Sequence, residues 1–489
     1  MKEVLMFIAV LLPFLAGMIL PAIRFGQQKY KEIYIETSVI ITSVIVVFLV
    51  FNIPEGAFVF ARFTRALSLS LKIDGLSVIF GALVAFLWPL ATLYAFEYME
   101  GDRYWSIFFM FYTMTYGVTL GIAFSGNLLT MYFFYELLTL VTFPLVMHTL
   151  SREAILASRT YLYYSLGGAA FAFIGLVFII TNGTSLDFIM GGVLDKAEIT
   201  GNENVFLLIY VMSFLGFGVK AAICPFNAWL PKAGVAPTPV TALLHAVAVV
   251  KAGAFAIIRL TYYSYGTQIL KGTWAQTVVM TVTILTILYG SCMAVKETHF
   301  KRRLAYSTIS NLSYILFSAT IMTPLGLIGA VMHLVIHAII KICSFFCAGA
   351  VIHRTGKNYI HELDGMGYKL PRVFTIFTIA SLALMGVPML PGFVSKWYIA
   401  QAAVNSMNPL AYAGLCVIMI SALLTAIYML SISARAFFPV KGKECTEDFS
   451  DPGIKMLLPL YVFVCVLFVL GLYSKPLADF VRSVVMEVV

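Results

Sequence analysis

Long apolar runs separated by short polar stretches dominate the 489 residues. An apolar run of about 18 residues or more with few charges reads as a membrane-spanning helix. Fourteen such runs fall near 4-23, 33-52, 75-96, 105-124, 127-147, 160-181, 205-224, 239-261, 275-295, 303-322, 325-352, 371-404, 411-435 and 455-473. The pattern predicts an all-α polytopic membrane protein of about 14 transmembrane helices, with 1-489 as a single transmembrane domain. Two runs, 325-352 and 371-404, are too long for one straight crossing. The first run, Val4 to Ile23, is too long for a signal-peptide core and is kept as the first span.

Composition agrees. With 61% hydrophobic and 11% charged residues, the chain departs from soluble domains, which sit near 45–50% and 25%. The net charge of +9 is therefore read through topology rather than as a nucleic-acid surface. Of the 32 Lys and Arg, 19 fall in loops after odd-numbered spans and 9 on the opposite side, both termini included. That bias assigns the odd loops to the cytoplasm and both termini to the outside. The seven cysteines form neither a disulfide framework nor a CxxC metal site. All but Cys445 lie in apolar runs and read as small buried residues, including Cys343 and Cys347, one helical turn apart.

Four lysines remain, Lys220, Lys251, Lys341 and Lys396, each inside an apolar run. Among the acids only Glu136 lies deep in one. A charge at the bilayer centre costs about 2.5–3.5 kcal/mol, so five together oppose insertion by on the order of ten kcal/mol. Their surroundings indicate what they serve. Lys220 precedes Pro225, Pro231, Pro237 and Pro239, which predict a broken helix. Lys396 follows Gly386, Pro388, Pro391 and Gly392, a second break. Broken helices at membrane depth survive where they are buried in protein or line a wet cavity, and they recur at transporter ion sites. Each break carries a Lys and a Trp (Trp229, Trp397), the mark of an internal repeat. His333, His337 and Lys341 are spaced by four and share one helix face, a stripe suited to passing protons. His245 and Lys251, six apart, share a face only if their helix is distorted. Each residue alone also has a plainer reading as a frozen interhelical ion pair, a satisfied core histidine or a snorkelling lysine. GFGVKA sits mid-span without a strand–helix context, so it is not a dinucleotide site.

KAAICPFNAWLPKAGVAPTPVTALLHAVAVVKAG resembles the most characteristic stretch of the antiporter-like subunits shared by respiratory complex I, Mrp-type sodium/proton antiporters and membrane-bound hydrogenases. KIDGLSVIF at 72-80, NLLTMYFFYELLTL at 127-140, FKRRLAYSTISNLSYILF at 300-317, HAIIKICSFFCAGAVIHRTG at 337-356 and GVPMLPGFVSKW at 386-397 extend the likeness along nearly the whole chain. The resemblance implies three leading helices at 1-96, two inverted five-helix repeats at about 105-261 and 275-435 with broken helices 7 and 12, and a last helix at 455-473. It implies an ion path through Glu136, Lys220, His245, Lys251, His333, His337, Lys341 and Lys396, in which protonation of one Lys shifts the Glu136–Lys220 pair. Chain L types carry a long lateral helix, whereas this chain ends at Val489. Chain M types typically have Glu at the Lys396 position, so a Mrp-derived or hydrogenase-type subunit fits best.

The expectation is a proton- or sodium-translocating subunit of a redox-driven complex in a prokaryotic plasma (inner) membrane, without a redox cofactor or metal of its own. Its partners would be other antiporter-like and small membrane subunits, a peripheral redox module and lipid, not nucleic acid. The alternatives are a subunit of an Mrp-type secondary sodium/proton antiporter, driven by gradients alone, and a membrane scaffold with frozen ion pairs.

Overall fold

The computed structural model describes residues 2–64, 67–194, 201–439 and 447–486. Arg65, Lys196, Lys441 and Lys443 of the loop-charge count, together with Cys445, lie outside the described residues. Seventeen longer helices account for most of the rest. They are α1 (Lys2–Ile19), α2 (Gln28–Phe51), α3 (Gly75–Tyr98), α4 (Trp105–Ala123), α5 (Leu128–Val146), α6 (Arg152–Asn182), α7 (Glu203–Lys220), α8 (Thr238–Ala246), α9 (Val249–Ile258), α10 (Trp274–Lys296), α11 (Phe300–Thr320), α12 (Pro324–Thr355), α13 (Pro371–Met385), α14 (Pro391–Asn405), α15 (Pro409–Phe437), α16 (Ile454–Leu472) and α17 (Lys475–Met486). Among the described residues, twelve helical segments are long and apolar enough to cross a membrane, the α8–α9 stretch counting as one over Thr238–Tyr265. The other two of the fourteen apolar runs are α11, rich in Ser and Thr, and the broken α13–α14 pair.

Helix starts follow local chemistry. Asp74 Oδ1 accepts from the Ser77 amide at 2.9 Å, Asn127 Oδ1 from Thr130 at 2.8 Å and Thr323 Oγ1 from Gly326 at 3.1 Å, satisfying amides that a helix start leaves free. A Ser151 cap starts α6 eight residues before its apolar run, so Arg152 and Arg159 stand on a helix rather than in a loop. Elements the apolar pattern does not announce also appear. A short antiparallel hairpin pairs β1 (Phe58–Arg62) with β2 (Ser68–Leu71), and Asn127 Nδ2 donates to the Ser68 carbonyl at 2.9 Å. The amphipathic α17 turns Ala478, Val481 and Val485 inward.

The core is built around α12, buried along almost its whole length and packed by α11, α14, α13 and α8. A helix apolar all round belongs inside the bundle. The cysteine expectation fails in part: Cys343 and Cys347 are buried on α12, but Cys292, Cys416 and Cys465 are exposed. Outward faces of a membrane helix are as apolar as its core, so hydropathy alone cannot assign burial.

Candidate functional site

The first break follows α7. Its last residue, Lys220, has its side chain 1% exposed, and Nζ stands 3.7 Å from Glu136 Oε1 on α5. The ammonium donates to the Tyr135 carbonyl and lies 3.3 Å from the Tyr135 ring centroid. A cation in the last turn is favoured by the negative end of the helix dipole. Beyond it the chain turns through Ala222 at φ 55° and past Pro225. Trp229 closes the turn, its indole donating to the Val219 carbonyl at 2.8 Å.

The second break mirrors the first in one respect. Gly386 ends α13 at φ 92°, a left-handed cap suited to glycine. The chain passes Pro388 and re-enters a helix at Pro391. A Cβ on Gly392 would lie 1.8 Å from the Ala383 carbonyl oxygen, so only glycine lets α14 approach α13 this closely. Lys396 Nζ reaches back to donate to the Leu384 and Met385 carbonyls at 2.7 and 2.9 Å. Both lysines therefore attend the carboxyl end of a half-helix. Among the described residues Lys396 has no carboxylate partner; it lines a cavity of about 670 Å³ with Gln401, Asn405 and apolar residues.

Between the breaks runs a line of buried bases. The α8 helix does break: Ala248 donates its amide to the Leu243 carbonyl, five residues back, at 2.9 Å, and α9 restarts at Val249. This π-type distortion falls between His245 and Lys251, both fully buried in a stretch that is buried on every face. Lys251 Nζ lies 2.5 Å from His337 Nδ1 across to α12. The His337 and His333 rings stack at 5.6 Å, and His333 Nδ1 meets Ser395 Oγ on α14 at 2.9 Å. Lys341 donates to the Leu304 carbonyl at 3.1 Å and to Ser307 on α11. His245 stands apart, against Phe345 at 4.8 Å, with neither ring nitrogen hydrogen-bonded. The Nε2 atoms of His333 and His337 are likewise buried and unpartnered. When Lys251 is an ammonium it donates to His337 Nδ1, which places the ring proton of His337 on Nε2.

Residues 125–425 match the family described as NADH:quinone oxidoreductase/Mrp antiporter, TM, and residues 63–109 match the complex I chain 5 N-terminus. The chain belongs to this antiporter-like family. A protein of Rhizobium meliloti (strain 1021), a probable K(+)/H(+) antiporter component, is 32% identical over 86% of this chain and 42% of its own. A Na(+)/H(+) antiporter component of Staphylococcus aureus (strain JH9) is 27% identical over 97% of this chain and 62% of its own. The chain thus spans about two-fifths to three-fifths of the length of these relatives. Two solved structures share the fold: the Mrp complex from Dietzia sp. DQ12-45-1b (TM-score 0.85, 19% identity, 100% of this chain and 97% of that one) and an archaeal membrane-bound sulfane sulfur reductase (0.86, 21%, 99% and 97%). The chain is an antiporter-like, multi-pass membrane subunit.

Hydropathy misassigned three basic residues of this family member. Arg259, counted in an outer loop, is fully buried in a π-helical stretch (Arg259–Tyr265) that continues α9. Its guanidinium donates to Asp74 at 2.5 and 2.7 Å and to Ser77 at 2.9 Å, with Phe188, Phe255 and Tyr263 rings around it. Burial works to raise the Asp74 carboxyl, but Arg259 and the Ser77 bonds hold it down at about 2. Lys301 and Arg303 are also buried, on the Ala236 and Tyr428 carbonyls. Paired or carbonyl-bound cations at a helix end leave no hydropathy signal. The hydroxyl partners Ser307, Ser395 and Tyr314, whose ring lies 5.5 Å from Lys396 Nζ, were missed because serine and tyrosine are ordinary in such helices.

Proposed function

We propose that this chain is the ion-translocating subunit of a multisubunit membrane complex. It moves protons, or sodium against protons, along the line Glu136, Lys220, His245, Lys251, His333, His337, Lys341, Lys396. The observation that carries the reading is the 2.5 Å Lys251–His337 contact, which joins α9 to α12 through two buried nitrogen bases close enough to pass a proton directly. A base in contact with a base cannot hold two extra protons, so loading one side discharges the other. Lys220 answers through its pull on Glu136, and Lys396 delivers to its cavity. In this reading α11 and the α13–α14 pair complete fourteen crossings, and 105-261 and 275-435 form the two repeats. The odd-numbered loops face the cytoplasm of a prokaryotic cell, with both termini outside.

The driving force is assigned to partners, a peripheral redox module among them, with the electron-transfer cofactors there and none in this chain. Likeness in fold to the sulfane sulfur reductase supports that assignment. A second reading, exchange driven by gradients alone, is favoured by the relatives named for K(+)/H(+) and Na(+)/H(+) antiporters. Sealed vesicles containing the purified complex separate the two. Ion movement that needs an electron donor supports the first, and exchange without one supports the second. Near-normal translocation in both Lys220→Ala and Glu136→Ala complexes would sink the path itself.

A further inference from the structure

A second polar seam runs between α2 and α4, apart from every residue of that path. Because α2 begins at Gln28, well before its apolar run, Glu36 sits eight residues in, about 12 Å along the helix. Three rungs follow one another. Lys31 Nζ donates to Ser106 Oγ at 3.1 Å; Glu36 on α2 and Tyr112 on α4 come next, each with a buried oxygen, Glu36 Oε2 and the Tyr112 hydroxyl, that has no hydrogen-bond partner among the described residues; Ser43 Oγ lies 2.8 Å from the Tyr116 hydroxyl. The order is the same on both helices, as two helices running in one direction require. Trp88 of α3 backs the seam, stacked on Tyr116 at 4.9 Å. At its polar end opens a cavity of about 240 Å³ lined by Gln28, Lys31, Asp102, Arg103 and Ser106.

Three buried polar atoms on this seam lack a hydrogen-bond partner: Glu36 Oε2, the Tyr112 hydroxyl and Trp88 Nε1. Tyr112 and Trp88 are 0% exposed. Glu136 has Lys220 at 3.7 Å. Glu36 has no ion-pair partner among the described residues: Lys31, five positions earlier, donates to the neutral Ser106 hydroxyl and keeps its charge, and Lys455 of α16 pairs with Glu32 at 2.8 Å. From α4 come the Tyr112 and Tyr116 phenols; from α3 come the Trp88 indole and, at the helix end, Glu97, which accepts from the Gly453 and Met456 amides; the α1 charges Lys2 and Glu3 stand at that helix's opposite end. A carboxylate without a cation partner is disfavoured in its ionised form there, and a proton removes the charge. We propose that Glu36 and Tyr112 form a proton-binding site that exchanges with the Gln28–Lys31–Arg103 cavity. This site stands or falls separately from the Lys220–Lys396 path.

Dicyclohexylcarbodiimide tests it on the intact complex in membranes. The reagent takes a protonated carboxyl from the lipid phase: the O–H adds across one C=N bond, and acyl migration leaves an N-acylurea with no leaving group. Peptide mass spectrometry should find the adduct on Glu36, forming faster as the pH is lowered and absent in E36Q. Lys31→Gln, which removes a nearby positive charge, should move the midpoint of labelling to higher pH, and Tyr112→Phe should shift it as well. Glu36 left unlabelled at every pH, or labelled with the pH profile of the exposed Glu55, overturns the proposal. A midpoint that neither Lys31→Gln nor Tyr112→Phe moves also overturns it.

Discussion

The two helix breaks begin from the same sequence idea and end as different environments. At the first, Lys220 faces a carboxylate 3.7 Å away, and Trp229, 1% exposed, seals the turn with an indole hydrogen bond. At the second, Lys396 is hydrogen-bonded to two backbone carbonyls, with the Tyr314 ring 5.5 Å away, and Trp397 is 54% exposed beside a cavity. The first break is a closed ion pair; the second is a cation at a mouth. A paired ammonium responds to charge elsewhere in the protein. A carbonyl-held one can lose its proton without leaving a counter-charge behind.

The largest effect should come from removing one member of the pair. Lys220→Met strands Glu136 and should cost of order 3 kcal/mol of stability, discounted because Glu136 is a quarter exposed, and should abolish translocation. Lys396→Met frees two carbonyls and should cost about 1–2 kcal/mol, again with transport lost. Thermal unfolding of the two complexes, run beside vesicle transport, checks the ranking. Equal destabilisation would erase the distinction between the breaks.

The Asp74–Arg259 fork ties the start of α3 to the stretch that continues α9. Asp74 is held at about 2, below its unfolded value of about 3.9. A depressed carboxyl stabilises fully above the unfolded value, and the contribution is lost as the pH falls toward 2. Asp74→Asn keeps an oxygen to accept from Arg259 but loses the charge, and should remove about 1.5–3 kcal/mol near neutrality together with that acid-side slope, which unfolding midpoints in detergent across acid pH would show. The smallest contrast lies in the tryptophans. Trp229→Phe should cost about 1 kcal/mol through the lost Val219 bond, while Trp397→Phe should stay within about 0.5 kcal/mol.

Much of this was legible beforehand because lipid imposes simple rules. A buried Lys in an apolar run stands out, and proline next to it marks the break, so Lys220, Lys396 and the His333–Lys341 stripe could be read directly. The six-residue spacing of His245 and Lys251 left open a distorted helix or two separate stations; the helix is distorted between them, and the two side chains contact different residues of α12. What stayed hidden was whatever hydropathy averages away. Arg259 sits at the end of a run and reads as a loop residue, and only its Asp74 partner, 185 positions away in sequence, shows it to be core. Glu36 lies near the start of the 33-52 apolar run, and only the helical Gln28–Lys31 turn before it sets it inside a helix. Trp397 was matched to Trp229 by composition, although one faces outward and the other is sealed in.

The central claim is that charge passes between the halves through the Lys251–His337 contact, and Lys251→Met in the assembled complex addresses it most directly. Ion translocation by sealed vesicles of that complex should fall to background while the partner subunits remain bound. Translocation at the unmodified rate with the complex intact would contradict the path.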